Sequence, residues 1–431
     1  MFSPLCRARG MGWLVCCSIF VLTPVRAAET ISMNKAVERA IAANLNLSIA
    51  QSAIEAGKGD LEQAGLLPNP ELSIEAENAF GSGAYTGLKE ADLTAAVSQK
   101  IELGGKREIR MRRARAANEG ARLHRDLVVR DLEVKTKKAF VRLLAAQREV
   151  DLASRAAKEM KNAARALREK VSKGASPEAD SNRGELALEL SGIRLQRAQS
   201  GLIIARQALL TLWNEDGYRK LKATGSLALA STNLPGLGEL LKKVDAHPIL
   251  GVEKAKVEEG SAAYALEKSR AVPDPTIGVG ARHFNGIDES AFLISLSIPI
   301  PVADANQGNI RAAGARTNAA RLSVRQTQLV LSERLRKAYQ EYQSSCLEAK
   351  RFRNTVLPAA RDSARSIRKG YRLGRFGVLD LLGALQVEID SAQQAVEAVL
   401  SCRLSLIEIE GLTGDTYQSA ASEMSREGEK S

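Results

Sequence analysis

The chain reads PNPELSIEAE at residues 68–77 and PDPTIGVGARHF at residues 273–284. In both stretches, two prolines precede a run in which apolar side chains alternate with polar or small ones. This alternation predicts β-strands with one apolar face. A second alternating run follows each of them, in which Leu93, Ala95 and Val97 or their counterparts share one side. The predicted strands cover about residues 71–79, 91–103, 275–284 and 290–301.

The two stretches belong to a longer duplication with an offset of about 200 residues. Lys138-Ala139-Phe140 recurs as Lys337-Ala338-Tyr339, and Leu212 recurs as Leu412. Matches that keep one order and a nearly constant offset indicate two copies of one unit. The sequence predicts a first repeat at 29–214, a linker or equatorial segment at 215–240, a second repeat at 241–414 and a C-terminal tail at 415–431.

A long helical hairpin is predicted in each repeat, at about residues 106–214 and 306–414. Apolar or small residues recur with alternating steps of three and four from Val129 to Val171, and again from Val324 to Val356. Such a sustained period predicts helices that coil around their neighbours. An ordinary coiled-coil rod would show the same periodicity, so this pattern alone leaves that alternative open.

The hairpin turns are marked by glycine, in Lys173-Gly174-Ala175-Ser176-Pro177 and in Leu373-Gly374-Arg375-Phe376-Gly377. Ser176 is expected to cap the returning helix, with Pro177 at its first position. Asp180 and Asp380 follow the two glycines at the same spacing. Either acid is explained simply by favourable charge near a helix N-terminus.

Residues 1–28 have the composition of a secretory signal peptide, with a basic start, a short apolar core and small residues before the expected cleavage site. No later run is long and apolar enough to predict a transmembrane helix. If the protein enters a membrane, it is therefore expected to do so as a β-barrel. Four strands cannot enclose a pore, so several chains would have to share the barrel.

No residue pattern in the sequence indicates a catalytic site or a metal-binding site. His124, His247 and His283 lie far apart and show no metal-ligand spacing. We therefore predict no enzyme activity, no cofactor and no metal site. The net charge of +12 does not indicate nucleic acid, because basic and acidic residues are interleaved along helices and aromatic residues make up only 4%. Gly104-Gly105-Lys106-Arg107 lacks the rest of a phosphate-binding loop and is expected to turn the chain from strand to helix.

Cys346 and Cys402 each lie 28 residues from Gly374, one before it and one after it. In an antiparallel hairpin that turns at Gly374 they would stand at the same height. A disulfide is one hypothesis, favoured by an oxidising periplasm. The alternative is a pair of small buried residues whose side chains never face each other.

The duplicated helix–strand–strand–hairpin plan resembles the TolC-type outer-membrane efflux proteins over nearly all of the chain after residue 28. The sequence NPELS at 69–73, FGSG at 80–83 and VSQKIELGGKR at 97–107 is similar to the outer-membrane component of cobalt–zinc–cadmium-type heavy-metal exporters. The fold that this resemblance implies is mainly α with a small β part. Four strands per chain join a trimeric outer-membrane β-barrel, and the long helices form a periplasmic α-barrel.

The resemblance also implies the partners and the sites. A homotrimer would contact outer-membrane lipid, a periplasmic adaptor protein and, through it, a proton-driven inner-membrane pump. The adaptor would dock on the hairpin tips, at Gly174, Ala175, Ser176, Leu373, Gly374, Arg375 and Phe376. Asp180, Tyr371 and Asp380 match the family's tunnel entrance, where a ring of carboxylates would attract cations. The implied function is an outer-membrane export channel for heavy-metal cations. The alternatives are a drug-efflux or type I secretion duct and a periplasmic coiled-coil scaffold without a pore.

Overall fold

The computed structural model describes residues 29–217, 219–229 and 234–416. The predicted signal peptide, part of the predicted linker and most of the predicted C-terminal tail lie outside these residues. The described chain is mainly helical, with one four-stranded sheet, and the predicted fold class is confirmed in these terms. The helices are α1 (Met33–Ala43), α2 (Leu45–Ala64), α3 (Lys106–Ser172), α4 (Glu178–Leu212), α5 (Leu237–Val244), α6 (Pro248–Arg270), α7 (Gln307–Arg351), α8 (Leu357–Arg372) and α9 (Val378–Thr413). The strands are β1 (Glu29–Ile31), β2 (Glu71–Glu77), β3 (Asp92–Lys100), β4 (Leu221–Ala223), β5 (Thr276–Phe284) and β6 (Glu289–Ser297).

The first helical hairpin consists of α3 and α4. Helix α3 has 67 residues, and at about 1.5 Å per residue it extends roughly 100 Å. Its predicted stripe packs against neighbouring helices, since Leu132, Ala139, Leu143, Met160 and Leu167 are all buried. Alanine and other small residues between them allow the neighbouring helices to approach closely.

The second hairpin differs from the prediction because its outgoing helix is interrupted. Helix α7 is followed by a π-helical turn, Phe352–Val356, before α8 begins. Pro358 lacks the amide hydrogen that a regular helix would donate to the carbonyl group four residues earlier. The turn shifts the register of the helix, so the stripe predicted to continue to Val356 is broken and Val356 is partly exposed.

Two apolar cores lie where the hairpins meet the shorter helices. Trp213 is buried in the first core with Phe140 and Leu143, and its indole Nε1 donates to the carbonyl oxygen of Ala36 at 3.0 Å. The second core contains Leu240, Leu250, Leu335, Ile409 and other apolar residues. Each core thus combines a short helical segment with the base of one hairpin.

The predicted linker contributes to these cores instead of only joining the repeats. Strand β4 pairs in parallel with β1, with Glu29 opposite Leu221. Helix α5, which begins at Leu237, packs against α7 and α9. The sequence did not predict this role because β4 pairs with a strand about 190 residues away. The local content of glycine and proline does not reveal such a distant pairing.

The sheet has the strand order β2-β3-β5-β6, and all three pairings are antiparallel. Strands β3 and β6 end earlier than the predicted ends at 103 and 301. After β6, Pro299 and Pro301 have no amide hydrogen to donate to a neighbouring strand. After β3, the amide of Leu103 donates to Asp274 Oδ1 at 2.9 Å instead of joining the ladder.

Cys346 on α7 and Cys402 on α9 form a disulfide, with their α-carbons 4.9 Å apart and 56 residues of sequence separation. The second hairpin is therefore closed covalently. No comparable pair closes the first hairpin among the described residues, because these two are the only cysteines after residue 28.

Replacing both cysteines, Cys346→Ser with Cys402→Ser, should lower the free energy of unfolding by about 4 kcal/mol. A cross-link over a loop of this length removes that much chain entropy from the unfolded state. Thermal unfolding followed by circular dichroism, with and without reductant, measures the change. Reductant should lower the unfolding temperature of the unmodified protein and leave that of the double variant unaffected; equal unfolding temperatures for the two oxidised proteins would contradict a stabilising cross-link.

His247 caps α6, and its Nδ1 accepts a hydrogen bond from the amide of Ile249 at 3.2 Å. Burial, with the nearby guanidinium of Arg130, lowers the pKa of His247 from 6.5 to about 4. Between these two values the unfolded chain binds a proton on this side chain and the folded chain does not. This contribution to stability is therefore complete above about pH 6.5 and is lost as the pH falls toward 4.

The variant His247→Asn keeps a good capping side chain and removes this titration. Its unfolding temperature should fall less than that of the unmodified protein when the pH is lowered from 7.5 to about 4.5. Thermal unfolding at several pH values gives the comparison. Parallel pH profiles for the two proteins would show that His247 does not titrate as assigned.

Candidate pore wall and hairpin tips

One face of the four-stranded sheet is apolar from edge to edge. The registers place Leu72 opposite Val97 in β2–β3, Val97 opposite Val279 in β3–β5, and Val279 opposite Ile294 in β5–β6. These side chains are solvent-exposed in the single chain, and Ile294 reaches 81%. The further apolar members of the face are Ile74, Ala76, Leu93, Ala95, Ile277, Ala281, Phe292 and Leu296, and the same face carries the polar residues Gln99, His283 and Ser290 toward its two ends. An exposed apolar surface of this extent is typical of contact with lipid or with another protein.

The opposite face of the sheet is mainly polar, although it includes Phe284 and Leu293, and its acids outnumber its bases. The acids are Glu71, Glu75, Glu77, Asp92 and Glu289, against Lys100 and Arg282. Arg282 Nη2 lies 2.9 Å from a Glu77 carboxylate oxygen, and its Nε donates to Thr94 Oγ1 at 2.8 Å. The sheet therefore separates an apolar surface from a net negative one.

A buried ion pair fixes the sheet to the helices. Lys106, the first residue of α3, donates from Nζ to Asp274 Oδ1 at 2.5 Å and to the carbonyl oxygen of Val272 at 2.6 Å. Both charged side chains are about nine-tenths buried. Burial raises a carboxyl pKa, but the hydrogen bonds from Lys106 and from the Leu103 amide leave the pKa of Asp274 below its usual range. We call this contact the internal joint, because it ties the strand-to-helix turn of the first repeat to the second repeat.

The glycines before Lys106 make the internal joint possible. Gly104 and Gly105 have φ values of 70° and 69°, in the left-handed region, and α3 begins directly after them. The predicted strand-to-helix turn at this motif is therefore present in the structure. A Cβ added at Gly104 would lie 3.2 Å from Val272 Cγ2, so a larger residue would press on the segment that holds Asp274.

The two hairpin tips have the same backbone geometry. Gly174 and Gly374 have φ values of 68° and 76°. In both tips the glycine amide donates to the carbonyl oxygen three residues earlier, and the next amide donates to the carbonyl oxygen five residues earlier. This is a Schellman ending, for which glycine is the favoured residue. The second tip also exposes large apolar side chains, with Leu373 at 61% and Phe376 at 45%.

The structure places the two tip acids differently. Asp380 Oδ2 accepts from the amide of Gly377 at 2.9 Å, so its carboxylate caps α9. Asp180 Oδ2 accepts from Ser176 Oγ at 3.0 Å, and its Oδ1 lies 3.3 Å from Arg183 Nη1. The predicted Ser176 cap is wrong, because Ser176 bonds to a side chain and Pro177 occupies the capping position before α4. Proline at that position supplies its fixed φ without needing a donor.

A contact between the hairpins joins the tips, and the sequence patterns did not reveal it. Lys170 Nζ of α3 lies 4.0 Å from the centre of the Tyr371 ring of α8. Tyr371 is buried with Met160, Leu167, Val378 and Leu381, and its hydroxyl has no hydrogen-bond partner among the described residues. The predicted site residue Tyr371 therefore acts in this structure as a packing and cation–π element between the two hairpins.

The three histidines are not brought together. His124 lies on α3, His247 precedes α6, and His283 lies on β5 with its Nδ1 3.1 Å from Ser290 Oγ. Within the described residues, no group of three or more His, Cys, Asp and Glu side chains is arranged to hold a metal ion. The absence of a metal site and of catalysis stays a prediction.

No helix in the part of the chain that the structure describes combines the length and hydropathy needed to cross a bilayer.

Residues 245–415, which form nearly all of the second repeat, match the family described as outer membrane efflux protein. The resemblance predicted from the sequence is confirmed by this match and by the relatives. The family and the fold are those of channel proteins.

Two relatives from bacteria are similar over most of the chain. The cobalt-zinc-cadmium resistance protein CzcC of Cupriavidus metallidurans is 28% identical over 404 residues, covering 94% of this chain and 91% of that protein. The nickel-cobalt-cadmium resistance protein NccC of Alcaligenes xylosoxydans is 25% identical over 314 residues, covering 69% of this chain and 67% of that protein.

A solved structure shares the fold. The CmeC outer membrane channel of Campylobacter jejuni superposes with a TM-score of 0.76 at 16% sequence identity, covering 92% of this chain and 88% of that one. At this identity the likeness concerns the fold alone. It extends over both repeats, whereas the family match covers the second.

Replacing Tyr371 with leucine should loosen the tips, because leucine fills space but has no ring face for Lys170. A cation–π contact of about 1 kcal/mol corresponds to roughly fivefold faster trypsin cleavage at the exposed tip residue Lys173, if cleavage follows local opening. The control Tyr371→Phe keeps the ring and removes only a hydroxyl without a partner. It should be cleaved at the original rate; equal cleavage of both variants would contradict the contact.

Proposed function

We propose that this protein is the outer-membrane channel of a tripartite efflux pump that exports heavy-metal cations. Three copies would form one channel, with the sheets as a shared barrel in the outer membrane and the helical hairpins as a tunnel across the periplasm. The observation that carries the proposal is the two-faced sheet, which exposes an apolar surface on one side and a polar surface on the other. A barrel wall between lipid and an aqueous pore requires this arrangement.

The edges of the sheet support the assembly of several copies. Among the described residues, β2 and β6 each have a strand partner on one side only. Their unpaired backbone groups would be costly in hydrocarbon, so a membrane-inserted sheet has to close on itself or on further copies. Four strands are too few to surround an aqueous pore, and sharing between copies meets both requirements.

Metal cations are the proposed cargo. The relatives whose names include cobalt, zinc, cadmium and nickel resistance favour this class. The excess of carboxylates on the polar face supports it, because fixed negative charge along a pore raises the local concentration of cations. The channel itself is proposed to be passive, with no catalytic step, and to take its energy from a proton-driven inner-membrane pump.

The tips are the proposed contact with the adaptor protein and the proposed entrance. Leu373 and Phe376 offer exposed apolar surface for docking, and Gly174 and Gly374 shape the turns. Asp380 is exposed, so its carboxylate can face an axis shared by three copies while it still caps α9. Asp180 and Asp380 together would form a ring of charge that favours cations at the narrowest point.

Conductance in planar bilayers tests the channel and its entrance. The purified protein should form discrete cation-preferring channels, and Asp180→Asn with Asp380→Asn should reduce the preference for cations over anions. Asparagine keeps an acceptor for the Gly377 amide, so a loss of helix capping cannot explain the change. The matched control Asp362→Asn removes an exposed acid of α8 and should leave the selectivity unaltered.

Cargo is tested by deleting the gene and measuring growth on graded zinc, cobalt, cadmium and nickel. Sensitivity to metals that is reversed by the intact gene agrees with the proposal. Unchanged metal tolerance with new sensitivity to drugs, or failure to secrete a protein, would favour a drug-efflux or secretion duct. A soluble rod without conductance would favour a periplasmic scaffold.

A further inference from the structure

The two β-hairpins of the chain are equivalent residue by residue. Glu71 and Thr276 directly follow the two proline motifs, and they are opposite Ser98 and Ser297 in their respective hairpins. Since the first residues correspond and the hairpin registers match, Ser98 and Ser297 correspond as well. Every position of β2 therefore has a counterpart in β5, and residues 92–98 of β3 have counterparts at residues 291–297 of β6.

The pairing of β3 with β5 shows how one hairpin joins the next. In this pairing Ala95 lies opposite Ala281. Their counterparts are Ile294 on β6 and Ala76 on β2, and these lie on the two edge strands of the sheet. We propose that β6 of one copy pairs with β2 of the next copy in this same register, with Ile294 opposite Ala76. The inference rests on the proposed shared barrel, and it adds the pairing that would hold the copies together.

The side-chain pattern independently excludes a slip of this register by one residue. It places Leu296 opposite Ile74 and Ile298 opposite Leu72, so the apolar face continues without a break from one copy to the next. A slip by one residue would place these apolar side chains beside the polar face of the neighbouring strand. All four are exposed in the single chain, with Ile74 at 76%.

The proposed contact between copies also includes a counterpart of the internal joint, at the point where the strands lead into the long helices. Gly105 and Asn306 precede α3 and α7 with φ values of 69° and 59°, so Lys106 corresponds to Gln307. Asp274 corresponds to Asn69, the middle residue of the first proline motif. Between copies, the equivalence therefore places Gln307 next to Asn69, and an amide pair replaces the buried ion pair. Both amides are exposed in the single chain.

The equivalence of the two repeats also applies to the short helices α2 and α6, which lie outside the sheet. Helix α6 packs against both α3 and α7. Its counterpart α2 begins after a similar cap, since Asn44 Oδ1 accepts from the amide two residues later, as His247 Nδ1 does. Helix α2 packs against α3 but leaves Leu45 and Ile49 exposed. By the equivalence, these residues lie in the contact between copies, near α7 of the neighbour.

Cysteine cross-linking in outer-membrane fractions of the full-length protein tests the register. Ala76→Cys with Ile294→Cys should give disulfide-linked dimers and trimers on oxidation, because a disulfide forms only when the α-carbons come within about 7 Å. The off-register pair Ile74→Cys with Ile294→Cys should give about tenfold less product. Ala95→Cys with Ala281→Cys is the matched control, since this pair lies within one chain and should link no copies together. The unmodified protein controls for exchange with the native disulfide.

The outcomes separate this inference from the proposed function. Preferred linking of the off-register pair, or no linking in a protein that still runs as an oligomer without boiling, would overturn the register and leave the channel standing. Absence of any oligomer and of conductance would overturn both. Preferred linking of Ala76→Cys with Ile294→Cys supports the register.

A charge exchange tests the amide pair. Asn69→Asp alone and Gln307→Lys alone should each lower the temperature at which the oligomer dissociates, because each buries one charge without a partner. The double variant copies the internal joint and should dissociate at a higher temperature than either single variant. If the dissociation temperature of the double variant falls by the sum of the two single decreases, the two residues do not contact each other.

Discussion

The amide and carbonyl groups at the edge of a β-sheet need hydrogen-bond partners, and hydrocarbon supplies none. In this chain, β2 and β6 present such edges while the sheet between them exposes an apolar face. In a bilayer, a sheet with these two properties leaves the backbone groups of its edge strands without hydrogen-bond partners, so it has to pair with further strands. The duplication provides the solution, because the pairing of β3 with β5 already shows that one hairpin of this sequence can complete another.

The two repeats share the backbone geometry of their hairpin tips, but they differ in covalent cross-linking. Both tips end in the same hydrogen-bond pattern around Gly174 and Gly374, yet only the second hairpin has a disulfide within the described residues, and only its outgoing helix contains a π turn. The disulfide lies on the side of the π turn away from the tip. The base of the second hairpin is therefore held covalently, while the tip segment is held by packing around Tyr371 and by Lys170. A rearrangement at the tip would therefore break only non-covalent contacts, whereas the cross-linked part of the hairpin stays joined by the disulfide.

Much of this fold could be predicted because its signals are local. Alternation located the strands, the glycine turns located the tips, and equal distances from Gly374 placed Cys346 and Cys402 at one height. The sequence could not decide whether these cysteines face each other, because that depends on the rotation of α7 against α9. The internal joint was missed, since Lys106 and Asp274 are 168 residues apart and neither stands out in its own segment. The Lys170–Tyr371 contact was missed for the same reason, as it depends on how the two hairpins pack.

Within a chain the contact is an ion pair, whereas between copies it is proposed to be a pair of amides. This difference follows from the stage at which each contact forms. Lys106 and Asp274 belong to one chain, so the two charges meet as it folds and neither is left buried alone. A charged pair between copies would have to give up its hydration at assembly, and such desolvation offsets much of the attraction. Gln307 is already satisfied before assembly, because it accepts from the amide of Ala305 at 2.9 Å and donates to the carbonyl of Ala303 at 3.2 Å. An amide exchanges these bonds for others at little cost, which suits a contact that forms only after the single chain has folded.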